Sequence, residues 1–337
     1  MNILVTGGAG YIGSHTIVEL LKNNHNVICI DNFYNSKEEV VDIIKKVANK
    51  DYKFYNIDLV NYDDVDRVFS ENSIDAVIHF AGLKAVGESV QKPLFYYRNN
   101  LLSTINLLDA MKKYNVKNIV FSSSACVYGD PDKVPVSETS PVGNVTNPYG
   151  RTKYFIEEIL QDYSIADPEF KAIILRYFNP IGAHESGLLG ENPLGIPNNL
   201  MPFILKAASK EVDELKIFGN DYDTPDGTTI RDYIHVVDLA IAHTKAIDKL
   251  KDDFKVEVYN LGTGKGTSVQ EIVDSFNKVN GNILKYSYAP RRPGDAAKCY
   301  ADPTKANKEL GWYATKTIDD MCLDSWNYKK NYNKKAK

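Results

Sequence analysis

The chain has 337 residues, of which 43% are hydrophobic and 25% charged, with a formal net charge of -4. That length suits two domains better than one, the mix is that of a globular protein, and the acidic balance argues against a general nucleic-acid binder. No apolar run approaches the roughly 18 residues of a membrane span. The first residues already read as a strand, so no leader and no membrane partner are expected, and the expected location is cytoplasmic. The four cysteines, Cys29, Cys126, Cys299 and Cys322, form no C-x-x-C pair. Reduced thiols are therefore expected, with neither a disulfide framework nor a metal site.

In chain order, a β-branched apolar run at 3–5 is followed by a helical pattern at 12–22. Strand-like 27–30, helical 38–48, strand-like 54–57 and helical 62–70 come next. The alternation continues with a strand at 76–80, a helix at 94–114, a strand at 119–121, a helix at 149–161 and a strand at 172–175. Fully apolar strands alternating with helices predict an α/β fold: a doubly wound parallel sheet of the Rossmann type. Beyond about 180 the texture becomes rich in Gly, Pro and Asn, which predicts a smaller C-terminal α/β domain. We place the dinucleotide-binding domain at 1–180 and the second domain at 181–337. The strand-like segments 230–235 and 258–261 are candidates to return to the first sheet. The Lys- and Asn-rich tail from 329 to 337 is expected to fray.

Gly7, Gly10 and Gly13 follow the first strand and open the first helix. Their missing side chains let backbone approach a pyrophosphate, and the helix N-terminus offers unpaired N–H groups to the anion. Asp31 ends the second strand, where a carboxylate can bond the ribose hydroxyls of NAD and repel the 2′-phosphate of NADP. Asp58, after the third strand, suits an adenine contact or a plain turn. A second glycine-rich stretch at 262–267 fails as a Walker loop, because Gly266 follows Lys265 and Tyr259 stands where the first Gly is required. It reads as a strand-to-helix turn.

Asn147 is a suitable N-cap and Pro148 suits the first helical position, so Tyr149 and Lys153, at i and i+4, share a helix face. A phenol is a poor base at neutral pH, but a nearby ammonium and a cationic nicotinamide both favour the phenolate. Such a base can take a proton from a sugar hydroxyl. Alone, a Tyr-x-x-x-Lys pair is common on ordinary helix faces. Ser124 adds context: it ends the fifth strand at the carboxyl edge, where ligands bind, and is placed to orient the same hydroxyl. Ser122 and Ser123 are read as strand-end caps, and His79 and His235 as satisfied core residues rather than ligands.

The glycine loop, Ser124, Tyr149 and Lys153 resemble the extended short-chain dehydrogenase/reductase superfamily. The segments 79–89, 175–184, 196–202, 231–235 and 289–295 are similar to UDP-galactose 4-epimerases, and the likeness runs to about residue 326. The resemblance implies a tightly held NAD, a UDP-hexose substrate and a transient oxidation at C4, with Ser124, Tyr149 and Lys153 as the catalytic set. Around the cofactor it implies Gly7, Gly10, Tyr11, Ile12 and Gly13, then Asp31, Asn32, Asn35, Ser36, Asp58 and Leu59. Phe80, Ala81, Gly82, Lys84, Asn99 and Phe178 complete that set. Around the UDP-sugar it implies Asn179, Asn199 and Leu200, Lys216 to Phe218 at the uracil, and Tyr233. Arg231 and Arg292 suit the diphosphate, since planar forks bind phosphate oxygens in pairs, and Asp295 the uridine ribose.

Cys299 stands where epimerases restricted to glucose and galactose carry Tyr, so the smaller thiol implies room for the 2-acetamido sugars UDP-GlcNAc and UDP-GalNAc. A 4,6-dehydratase or decarboxylase relative is disfavoured, because Ala125 and Cys126 replace the acidic residues those reactions use beside the Ser. A silent NAD-binding sensor is disfavoured by the intact Ser, Tyr and Lys. The resemblance also implies a homodimer, with Leu101, Leu102, Ile105 and Leu108 as a candidate apolar stripe that could equally pack on its own sheet.

Overall fold

The computed structural model describes residues 1–194, 199–292 and 294–335. Residues 196–198 and Pro293, part of the segments above, and Ala336 and Lys337 of the tail lie outside the described residues. The first half runs β1 (Asn2–Thr6), α1 (Tyr11–Lys22), β2 (Asn26–Asp31), α2 (Glu39–Ala48), β3 (Lys53–Asn56), α3 (Tyr62–Glu71) and β4 (Ala76–His79). It continues with α4 (Val86–Gln91), α5 (Pro93–Lys113), β5 (Asn118–Ser124), α6 (Pro148–Ala166) and β6 (Lys171–Tyr177). The short α4, which carries Gly87, was not expected from the sequence; every other predicted helix of this half is present.

The second half contributes β7 (Asn179–Ile181), α7 (Leu200–Ala208), β8 (Leu215–Phe218), β9 (Ile230–Arg231), β10 (Tyr233–His235), α8 (Val236–Lys249) and β11 (Val256–Leu261). It ends with β12 (Thr267–Ser268), α9 (Val269–Asn280), β13 (Tyr286–Ala289), β14 (Lys298–Cys299), α10 (Thr304–Glu309) and α11 (Ile318–Lys335).

Seven strands form one sheet in the order β11-β6-β5-β4-β1-β2-β3, and every adjacent pair is parallel. The apolar runs follow from burial on both faces. Ile3 and Val5 belong to one core, with Ile17 of α1 and Leu239 of α8. Leu4, between them, belongs to the opposite core with Val65 of α3, Leu107 of α5 and Ile156 of α6. The period-2 alternation of a strand thus splits β1 between two cores. A third core joins Ile204 of α7, Ile217 of β8, Phe276 of α9 and Met321 of α11.

Two expectations are corrected. The segment 258–261 does return to the central sheet, as β11 beside β6, but 230–235 does not. It breaks at Asp232 into β9, which pairs with β12 and β14, and β10, which pairs with β7. The cause is the buried Asp232 carboxylate, which accepts N–H groups from Thr263, Gly264 and Ala301 and so stitches three segments at that point. The tail does not fray through Lys335. It forms α11, where the Tyr328 and Tyr332 rings lie 6.1 Å apart and Lys329 pairs with Glu211 at 2.6 Å.

Candidate active site

The strand order reverses between β1 and β4, and in open parallel sheets ligands bind in the crevice at that point, outside the carboxyl ends of the strands. A cleft of about 1340 Å³ opens there. Its floor is the turn between β1 and α1. Gly7 has φ +68°, and a Cβ on it would lie 2.7 Å from the Ala81 nitrogen; one on Gly13 would lie 2.4 Å from the Gly7 carbonyl. Only glycine fits either place. Gly10 caps α1 without a side-chain hydrogen bond, which leaves first-turn N–H groups for an anion.

Asp31 ends β2 and accepts N–H groups from Ala9 (3.0 Å) and Phe33 (2.8 Å) and the Ser36 hydroxyl (3.1 Å). Burial nonetheless raises its pKa. Asn32 donates to Asp58 at 3.0 Å. Tyr11, Ile12, Asn35, Leu59, Phe80, Ala81, Gly82, Lys84 and Asn99 also line the cleft. The acidic end of β2, the glycine turn and the open helix terminus together fit a dinucleotide.

At the other side of the switch point, β5 delivers Ser124 and α6 delivers Tyr149 and Lys153 to the same cleft. The start of α6 is fixed as its sequence implies: the Asn147 side chain accepts the Gly150 N–H at 2.8 Å, and Pro148 opens the helix. Lys153 is buried; its Nζ donates to the Ser122 carbonyl at 2.6 Å and lies 4.9 Å from the Phe121 ring centre. Burial lowers its pKa to about 8, against the raising influence of the Glu157 carboxylate.

Burial pushes the Tyr149 phenol well above its ordinary value, Cys126 adds to this, and the Ser124 hydroxyl opposes it. The expectation of an ammonium-lowered phenol is therefore corrected for the protein alone. Desolvation dominates at the phenol, and the Lys153 ammonium donates instead to the Ser122 carbonyl. A further positive charge in the cleft is what would favour the phenolate. Ser122 and Ser123 are not mere caps either: Ser122 O holds Lys153, and the Ser123 hydroxyl donates to Glu157.

The second half supplies the opposite wall, formed by Asn179, Asn199, Leu200, Lys216, Phe218, Arg231, Tyr233, Arg292 and Asp295, with Phe178 from the β6–β7 junction. Arg231 Nη2 stands 3.9 Å from Asp295, and the Arg292 guanidinium lies 4.0 Å from the Phe218 ring centre. Two guanidinium groups on one wall of a cleft suit a diphosphate.

A family model described as GDP-mannose 4,6 dehydratase matches residues 4–325. The UDP-glucose 4-epimerase of Bacillus subtilis is 56% identical to the chain, over 97% of the chain and 96% of that protein. The chain belongs to the UDP-glucose 4-epimerase family. The dehydratase model fits the same extended short-chain dehydrogenase/reductase superfamily.

Two solved structures of the family are especially close. The epimerase of Bifidobacterium longum, in complex with NAD+ and UDP, superposes with a TM-score of 0.95 at 54% identity, covering 99% of both chains. That of Stenotrophomonas maltophila, with bound NAD and formylated UDP-arabinopyranose, gives 0.97 at 44% identity and the same coverage.

One expected member of the sugar wall is elsewhere. Cys299 is not among the residues that line the cleft; it packs against a cluster of Val127, Tyr128, Val136, Phe178 and Ala301. His79 and His235 are fully buried core residues as expected. His79 bonds Thr6 at 2.7 Å and Thr104 at 3.0 Å. Among the described residues no group of His, Cys, Asp or Glu could hold a metal ion, and no helix is long and apolar enough to cross a membrane.

Sequence reasoning missed Glu157 and Glu191. Glu157 was findable: it lies four residues after Lys153 on the same face of α6. Glu191 sits in a Gly- and Asn-rich loop with no periodicity to mark it.

Proposed function

We propose that the chain interconverts UDP-glucose and UDP-galactose, with NAD as its resident cofactor. The observation that carries this reading is the meeting of Ser124, Tyr149 and Lys153 with the glycine turn in one cleft. NAD held on Gly7, Gly10 and Gly13 supplies a hydride acceptor that returns the hydride to the opposite face of C4. Tyr149 takes the proton from O4 and later gives it back, and Ser124 orients that hydroxyl. Lys153, one helical turn from Tyr149 on α6, and the positive charge of the oxidised nicotinamide together favour the phenolate once the cofactor is bound. Arg231 and Arg292 grip the diphosphate, Asp295 the uridine ribose, and Lys216 to Phe218 the uracil. The hexose, held only by its nucleotide, turns over as a 4-keto sugar between the two transfers. We assign 1–180 to the cofactor and 181–337 to the UDP-sugar, with β11 on the cofactor side. The test is incubation of purified protein with UDP-galactose and no added NAD, followed by NMR. UDP-glucose is expected; no conversion overturns the reading.

The position of Cys299 supports a wider sugar range. Cys299 packs against the cluster that contains Phe178, itself a residue of the cleft wall, and a tyrosine at that position would need far more room than the thiol takes. We propose that the enzyme also accepts UDP-GlcNAc and UDP-GalNAc. Activity on UDP-galactose but not UDP-GalNAc would reject this, as would unchanged selectivity in Cys299→Tyr.

A homodimer through α5 and α6 is supported by outward apolar side chains. Leu102 is 38% exposed, Ile105 43% and Phe155 41%. Of the stripe, Leu101 and Leu108 pack on their own core, while Leu102 and Ile105 are exposed. An unpartnered apolar face of this kind suits a self-interface. Sedimentation as a monomer at micromolar concentration would reject the dimer. The four free cysteines suit a reducing cytoplasm.

A further inference from the structure

Glu191 lies between the two sides of the cleft, and neither the fold nor the chemistry above accounts for it. Its side chain is 8% exposed, an unusual burial for a carboxylate. One oxygen, Oε1, accepts from Lys84 Nζ at 3.4 Å and from Asn199 Nδ2 at 3.3 Å. The other, Oε2, is buried with no hydrogen-bond partner among the described residues. Leaving a buried carboxylate oxygen unsatisfied is costly, and such an arrangement persists where function holds it. Lys84 follows β4, in the cofactor half, and is 46% exposed. Asn199 caps α7, in the half that faces the nucleotide-sugar. Glu191 also raises the pKa of Tyr11, on the glycine turn, as a contributor second to burial. The carboxylate thus touches one group from each side and borders the first turn of α1.

We propose that Glu191 is a positioning residue that couples the two ligands: through one oxygen it holds Lys84 on the dinucleotide side and Asn199 on the UDP-sugar side. It touches no reacting atom. A dinucleotide phosphate that fixes the Lys84 ammonium fixes with it the Glu191 carboxylate, which stays bonded through Oε1 to both Lys84 and Asn199. The amide is then fixed in the orientation that meets the UDP-sugar. Cofactor binding thereby preorganises the substrate wall. This rests on the NAD and UDP-sugar sites assigned above.

The experiment measures UDP affinity by calorimetry on NAD-loaded protein, in the unaltered chain, Lys84→Met, Glu191→Gln and the double variant, with steady-state kinetics on UDP-galactose alongside. Lys84→Met should weaken UDP binding about tenfold in the native background and less than about twofold once Glu191 is Gln. Glu191→Gln, which keeps the shape, should raise KM about tenfold while kcat changes less than about threefold. A merely structural loss would lower both without making the effect of Lys84 depend on Glu191. If Glu191→Gln does not accumulate, Asn199→Ala takes its place, and Lys84→Met should again cost little in that background. UDP affinity indifferent to Lys84→Met, or an equal loss in every background, overturns the coupling while leaving the epimerase reading intact. An unaltered protein that neither binds UDP nor converts UDP-galactose overturns both.

Discussion

Arg176 and Glu157 form a buried ion pair beneath the candidate catalytic residues: Arg176 Nη2 stands 2.6 Å from Glu157 Oε2, and its Nε donates to Oε1 at 3.1 Å. The pair ties the end of β6 to α6, one turn beyond Lys153. Its third arm, Arg176 Nη1, donates to the Tyr128 hydroxyl at 2.9 Å, which in turn donates to Asn260 at 2.7 Å. A two-point guanidinium–carboxylate contact fixes direction as well as charge, so β6, α6 and β11 are held in one register around the site.

Breaking one side of this pair should be far worse than removing both. Arg176→Met strands a buried carboxylate and is expected to cost about 3–5 kcal/mol of stability. Glu157→Gln/Arg176→Met removes both charges and should recover most of that loss. Denaturant unfolding of the three proteins checks this; a double variant as unstable as the single one would show that the charges are not the issue.

Much of the first half was legible because it obeys two simple periods. β1 alternates between two cores, so its residues had to be apolar throughout, and α6 announces itself through Asn147 and Pro148. The glycine turn was legible because the clash of a Cβ with the Gly7 carbonyl or the Ala81 nitrogen leaves glycine alone at Gly7 and Gly13. The roles of Arg231, Asp295 and Cys299 came from resemblance, since short strands and loops carry no periodicity. The split at Asp232 was illegible because its cause, a carboxylate serving Thr263, Gly264 and Ala301, involves partners distant in sequence. Likewise, the balance of burial over charge at Tyr149 depends on surroundings that the Tyr-x-x-x-Lys spacing does not contain.

The tightness of the glycine turn gives a direct test of the cofactor site. A methyl on Gly13 would lie 2.4 Å from the Gly7 carbonyl and 2.8 Å from the Gly8 Cα. Both are backbone atoms, so relief requires the turn itself to open. Gly13→Ala should therefore yield folded protein with little or no co-purifying NAD, assayed by release after acid precipitation. Full occupancy would mean that the dinucleotide does not use this turn.

Tyr149→Phe removes the proton acceptor and leaves the buried ring in place. A positioned general base contributes roughly 10²–10⁴-fold, so kcat should fall by about three orders of magnitude, with NAD still bound and KM for UDP-galactose changed little. Activity close to that of the unaltered protein would remove Tyr149 from the chemistry.

Three buried histidines, His15, His79 and His243, should make the fold acid-sensitive. Burial lowers the His79 pKa to about 3, with Lys153 adding to it. Its unfolded value is near 6.5. As pH falls below that value the unfolded chain takes up the proton and the folded one does not. The stability is thus complete above 6.5 and is lost progressively toward about 3, by up to about 1.4 kcal/mol per pH unit for one such group. Urea unfolding at pH 7.5 and 5.5 should show a smaller acid loss in His79→Gln than in the unaltered chain. An identical loss would assign the acid sensitivity elsewhere.

The alkaline side of activity should report Lys153. Its ammonium, with a pKa of about 8 in the protein alone, is needed to favour the Tyr149 phenolate. As pH rises through the Lys153 pKa, that support is lost and kcat/KM should fall. The Glu157 carboxylate opposes the desolvation that lowers this pKa. Removing its charge should therefore move the alkaline limb to lower pH. Glu157→Gln is the variant of choice, with Glu157→Gln/Arg176→Met beside it expected to move the limb less, because that variant also removes the opposing Arg176 charge. The pH profile of kcat/KM for UDP-galactose, measured with NAD fully bound in each protein, decides the matter. A limb that stays in place or moves to higher pH in Glu157→Gln would mean either that Lys153 does not set it or that Glu157 does not act on Lys153 through its charge. Lys153→Met separates these, since loss of the limb itself would leave Lys153 as its origin and place the error in the role given to Glu157.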